Sequence, residues 1–183
     1  MRKLILQMNM SLDGFVAKPD GDIEWIFPGM GPDQLEVVTG LVRGTDTAVF
    51  GRVNYLGQAD YWPAQTGELA ELLNAHEKIV FSATLAGPLG WNNSTLAAGS
   101  PAQELPRLKA LPGKDIFASC GARFAQSLSR LGLIDEYHLA VHPIALGAGL
   151  PLFADLAEPL QLTLASTTEF ASGTVMHVYH AAK

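Results

Sequence analysis

The stretch DIFASCGARFAQSLSRLGLIDEYHLAVHPIALGAGLPLF, Asp115 to Phe153, decides how the rest of the chain is read. It opens with the apolar run Ile116-Phe117-Ala118 and passes through the small residues Ser119-Cys120-Gly121-Ala122. Ala122, Phe124, Ala125, Leu128 and Leu131 then recur at helical spacing. The pattern predicts a strand, a tight turn and a helix. A turn of this kind brings free backbone N–H groups and the positive end of a helix dipole to the edge of a sheet, which suits a phosphate. Beyond Gly132 a second strand is expected over Asp135 to His142, followed by a loop with Gly147 and Gly149.

Working outward, Lys3 to Met10 reads as a central first strand, because Leu4-Ile5-Leu6 is apolar on both faces. It leads into Asp13-Gly14, a pair that either forms a turn or presents Asp13 to a ligand. Trp25-Ile26-Phe27 and the Pro28 to Pro32 segment form an apolar loop of the kind that covers a site. Asp33 is expected to N-cap a helix over Gln34 to Val42, with Leu35, Val38 and Leu41 or Val42 inward.

Thr47 to Phe50 reads as a buried strand ending in Gly51-Arg52-Val53-Asn54-Tyr55. Arg52 there is either an anion ligand, its fork matching phosphate oxygens, or half of a plain surface ion pair. Gly57 to Trp62 reads as irregular, Glu68 to Ala75 as a helix and Lys78 to Phe81 as a strand. Ser82 follows, with a hydroxyl that can bind phosphate or cap a turn. A brief strand is expected over Ser94 to Ala97, and a helix over Ala102 to Ala110 that Pro106 interrupts.

The alternation predicts an α/β fold with helices on both faces of a mostly parallel sheet. The C-terminus departs from it, since Leu160 to Phe170 and Thr174 to His180 read as an antiparallel hairpin through Ala171-Ser172-Gly173. The sheet is therefore mixed. Parallel strands would bring Gly51-Arg52, Ser82 and Cys120-Gly121-Ala122 to one edge, where such sheets bind ligands. No G-x-G-x-x-G fingerprint or Walker loop is present.

The totals narrow the function classes. A chain of 183 residues fits a single domain, 1–183, and a net charge of −6 argues against nucleic acid or an anionic membrane as partner. The one cysteine excludes an internal disulfide, and no Cys/His group has zinc spacing, so no metal is expected. The N-terminal apolar run is short and broken by Gln7 and Asn9, which reads as a strand in a cytoplasmic protein. Cys120, at a helix N-terminus, is kept as an alternative nucleophile.

Together, MNMSLDGFVA, VFGRVNY, IVFSATL and SCGARFAQSLSRLGLIDEYHLAVHPIALGAGLPLF resemble the dihydrofolate reductase-like superfamily. The closer likeness is to the reductase domain of the bifunctional riboflavin-biosynthesis deaminase-reductase. The resemblance implies a mixed sheet of about eight strands, NADPH as hydride donor with NADH left open, a small heterocyclic substrate and a homodimer. It places the cofactor at Arg52, Asn54, Ser82, Cys120, Gly121, Ala122, Arg123 and Phe124. The family's Gly-Gly turn, often cis, is Cys120-Gly121 here, and Ala83 stands beside Ser82. Asp13 is the candidate for a polar substrate edge or a proton relay, Glu36 the second candidate, and Trp25 a wall of the pocket. The rivals are a nucleotide sensor on the same fold and a Cys120-dependent enzyme.

Overall fold

The computed structural model describes residues 1–182. β1 (Leu4–Ser11) lies in the middle of an eight-stranded sheet and pairs in parallel with β6 (Asp115–Ala118) on one side and β7 (Glu136–His142) on the other. Beyond β6 come β3 (Thr45–Gly51), β4 (Glu77–Phe81) and β5 (Ser94–Leu96), all parallel. Beyond β7 the hairpin of β10 (Val175–Ala181) and β9 (Leu162–Glu169) adds antiparallel strands. The expected mixed sheet is therefore present. A second, two-stranded sheet pairs β2 (Phe15–Ala17) with β8 (Leu150–Pro151), and neither segment was legible as a strand.

Helices cover both faces. α4 (Pro101–Ala110) and α5 (Ala122–Arg130) bury Leu105, Leu108, Ala125 and Leu128 against Leu4, Leu6, Ile116 and Ala118. On the other face α1 (Pro32–Arg43), α2 (Arg52–Tyr61) and α3 (Glu68–Ala75) bring Val42, Tyr55 and Leu73 onto Ala48, Phe50 and Val80. At roughly 1.5–3 kcal/mol per large apolar side chain buried, these two layers hold the strand tips in place.

Four local expectations are corrected. Residues 57–61 are helical, not irregular. α2 buries only Tyr55, which packs edge-on against Phe50, so the helix shows no apolar stripe in sequence. α1 starts two residues earlier than expected, with Gly31 as its N-cap and Gln34, Val38 and Val42 inward. Leu35 is exposed, and Asp33 instead accepts from the backbone of Ala171 in the hairpin turn at 2.8 Å. α4 runs unbroken through Pro106. Pro101 in its first turn and Ser100 N–H donating to Gln103 Oε1 at 3.0 Å start it firmly enough to tolerate one missing bond.

Candidate functional site

Because β4, β3 and β6 are adjacent and parallel, Ser82, Gly51-Arg52 and Cys120-Gly121 end up side by side at the carboxyl edge of the sheet. Two helices start there, α2 after Gly51 and α5 after Gly121, neither with a side-chain cap. The first backbone bond of α5 is Ala125 N–H to Gly121 at 3.1 Å, which leaves the amides of Ala122, Arg123 and Phe124 without an intrahelical acceptor. Space above Gly121 is open, since a Cβ there would meet nothing within 4 Å. Arg52 and Arg123 are exposed at the first turns of the two helices.

Phe124 forms the floor between them. A Cβ on Gly51 would lie 3.0 Å from Phe124 Cβ, and the Phe124 ring stands 5.5 Å from that of Phe81. Asn54 donates to the Ser119 carbonyl at 3.0 Å, while Gln58 shares a 2.8 Å bond with the Ser119 hydroxyl. Those bonds fasten α2 to the end of β6. Sequence spacing does not mark Gln58 or Ser119, because a lone amide on a helix and a hydroxyl after a strand carry no pattern. Ser82 Oγ accepts from the backbone of Thr84 at 3.1 Å and Leu85 at 3.0 Å, so it caps its own turn. Among the described residues no peptide bond is cis. Cys120 is buried, and desolvation pushes its thiol up to about 12, so the thiolate needed for a nucleophile is not available at neutral pH.

A second polar cluster lies where β1 faces α1. Gln34, fully buried, donates from Nε2 to Asn9 Oδ1 at 2.9 Å, and His142 Nε2 meets the same oxygen at 3.0 Å. The 3-10 segment Glu24–Gly29 closes over them, Trp25 edge-on to His142 with ring centroids 5.5 Å apart. A Cβ on Gly29 would fall 2.9 Å from His142 Nδ1. Trp25 therefore packs over this polar cluster. Asp13 follows the end of β1 with its carboxylate committed: Ser11 Oγ donates at 2.6 Å, Gly147 N–H at 2.7 Å and Leu146 N–H at 3.1 Å. The Ser11 bond first, with the two amides, holds it at about 2. Glu36 is not brought to the cluster. It lies exposed on the outer side of α1, beside Leu35, Thr39 and Glu68. The buried amide on α1 is Gln34, which hydrophobic spacing conceals because it occupies an apolar slot.

Residues 2–176 match the RibD C-terminal domain. The chain belongs to that family. The uncharacterized protein YyaP of Bacillus subtilis (strain 168) is 34% identical over 98% of this chain and 95% of its own length. YwjB of the same organism, also uncharacterized, is 28% identical over 98% of this chain and 99% of its own length. Among solved structures, a putative riboflavin biosynthesis protein from Shewanella sp. PV-4 superposes with a TM-score of 0.82 at 23% identity, covering 99% of both chains. A dihydrofolate reductase from Enterococcus faecalis, solved with NADP(H), superposes with a TM-score of 0.66 at 13% identity, covering 99% of this chain and 97% of that one. The RibD C-terminal domain thus shares the dihydrofolate reductase-like fold. Among the described residues no helix is long and apolar enough to cross a membrane.

Proposed function

We propose that this RibD C-terminal domain protein is a one-domain, cytoplasmic, homodimeric NAD(P)H-dependent reductase. Its substrate is a small pyrimidine- or pterin-like heterocycle reduced at a C=N or C=O bond. The observation that carries this reading is the open backbone at Gly121, where two uncapped helix N-termini meet on adjacent parallel strands. That corner fits a diphosphate, because oriented amides and dipoles stabilise negative charge without any side-chain rearrangement.

In this reading the amides of Ala122, Arg123 and Phe124 hold the pyrophosphate, and Arg52 and Arg123 supply the cations. Cys120 and Gly121 form the turn beneath it. Asn54 positions α2, and Ser82 shapes the turn at the adenosine end. Ala83 offers no charge to a 2′-phosphate, so the preference for NADPH over NADH falls to Arg52. The nicotinamide, when bound, supplies the hydride. Trp25 and the 24–29 segment exclude water from the β1–α1 cluster. Asp13 holds the Gly147 loop at the substrate edge.

The test is oxidation of NADPH, and separately of NADH, followed by dihydronicotinamide absorbance with a panel of pyrimidines and pterins. Turnover of one of them supports the reductase. Saturable binding with no oxidation across the panel favours a nucleotide sensor instead. Light scattering checks the dimer.

A further inference from the structure

α2 carries a polar stripe where α4 and α5 carry apolar ones. Asn54, Gln58 and Trp62 recur every four residues, so they share one face of the helix and its 3-10 extension. Asn54 Nδ2 donates to the Ser119 carbonyl at 3.0 Å, and Gln58 Nε2 donates to Ser119 Oγ at 2.8 Å. Trp62 Nε1 donates to Gln58 Oε1 at 3.1 Å, while the Trp62 carbonyl accepts from Asn74 Nδ2 of α3 at 3.1 Å. The stripe thus runs from α3 to the end of β6.

Ser119 is held at each of its polar groups. Its N–H donates to the Val49 carbonyl of β3 at 3.1 Å, its carbonyl takes Asn54, and its hydroxyl takes Gln58. It stands two residues before Gly121, whose carbonyl accepts the first backbone bond of α5. Beyond Ser119 the turn has no polar side chain to fix it, since Cys120 contributes a buried thiol and Gly121 nothing. The direction of the Ala122, Arg123 and Phe124 amides is therefore set from α2.

The orientation of the Gln58 amide is itself determined. Both of its ends lie near the Ser119 hydroxyl, Nε2 at 2.8 Å and Oε1 at 3.1 Å. The Trp62 indole N–H can only donate, so Oε1 must face it and Nε2 is left for Ser119. The indole orients the amide, and the amide orients the turn.

We infer that Gln58 is a positioning residue for the diphosphate corner, acting through Ser119 to aim the amides that open α5. The inference rests on the reductase reading for what occupies that corner. A hydrogen bond weakens steeply as its angle closes, so a small rotation of this first turn forfeits affinity. α2 buries only Tyr55, so loss of the Gln58 amide shifts the turn without unfolding the sheet.

The test titrates NADPH by calorimetry into the natural protein, Gln58→Met, Ser119→Ala and the double variant. Each single variant should bind roughly tenfold more weakly, the scale of one buried hydrogen bond, with a native circular dichroism spectrum. In the Ser119→Ala background, Gln58→Met should add less than about twofold, because its route is already cut. A purely structural role would give the same loss in both backgrounds. That result, or equal binding by Gln58→Met and the natural protein, overturns the inference. Should Gln58→Met fail to fold, unchanged affinity in Ser119→Ala overturns it alone.

Amide hydrogen exchange without nucleotide separates the two readings. Gln58→Met should quicken exchange at Ser119 and Ala125 by about tenfold, while Ile116, bonded to Lys3 at the far end of β6, keeps its rate. No NADPH binding by the natural protein defeats the reductase reading and leaves exchange to decide the positioning role. Unchanged exchange at Ser119 and Ala125 then overturns it. Nucleotide binding with no effect at Gln58 defeats only this inference.

Discussion

Gly149 lies against the carbonyl of Ala17 so closely that a Cβ at 149 would sit 2.3 Å from that oxygen. The approach is what lets β8 pair with β2 and bring the Gly147 loop beside the end of β1. Gly149→Ala should therefore push the two strands apart and cost about 1–3 kcal/mol, the usual scale of overpacking. Gly147, at φ +75 with nothing within 4 Å of a Cβ, should cost only the left-handed backbone penalty of about 1 kcal/mol when changed to Ala. Urea midpoints of the two variants check the order.

Asp13 sets the acid limit of this loop. Its folded pKa of about 2 lies below the ordinary 3.8, so its contribution is present above 3.8 and is lost as the pH falls through about 2. The amide resonances of Leu146 and Gly147 should shift with a midpoint near 2. In Asp13→Asn that titration should vanish, with the loop looser at every pH.

Lys78 is fully buried, with Nζ 2.8 Å from the His76 carbonyl and 4.5 Å from the centre of the Trp91 ring. Desolvation lowers its pKa from 10.5 to about 8. Above 8 the folded protein gives up a proton that the unfolded chain keeps until about 10.5, so stability should rise with pH across that window. The gain is on the order of 3 kcal/mol at full shift. Denaturant unfolding at both ends of the window measures it, and Lys78→Met should flatten the dependence.

The thiol of Cys120 should react slowly with disulfide reagents at neutral pH in the folded protein and at the ordinary rate after unfolding, because burial holds it protonated. Rapid stoichiometric labelling of native protein would revive the thiol-based rival.

The strands and the outer helices were legible because each buries a repeating apolar face, as Leu4-Ile5-Leu6 and Ala125/Leu128 do. The convergence at Gly121 was legible too, since parallel alternation forces strand ends together. What escaped was set by single contacts: α2, held by Tyr55 and by amides reaching Ser119, and β2 with β8, paired across long sequence separation. Gln34 escaped for a sharper reason. A buried amide in an apolar register looks like an error of phase, so spacing pointed to Leu35, while the family resemblance pointed to the exposed Glu36.

A titration with NADPH, read by quenching of the tryptophans in the natural protein and in Gly121→Val, tests the nucleotide corner most directly. Gly121 has φ −84 and ψ 175, a conformation valine adopts, and open space above it, so the variant should fold normally. The account predicts saturable binding to the natural protein and a loss of at least tenfold in Gly121→Val with an unchanged urea midpoint. No binding to the natural protein, or equal binding to both, would contradict it.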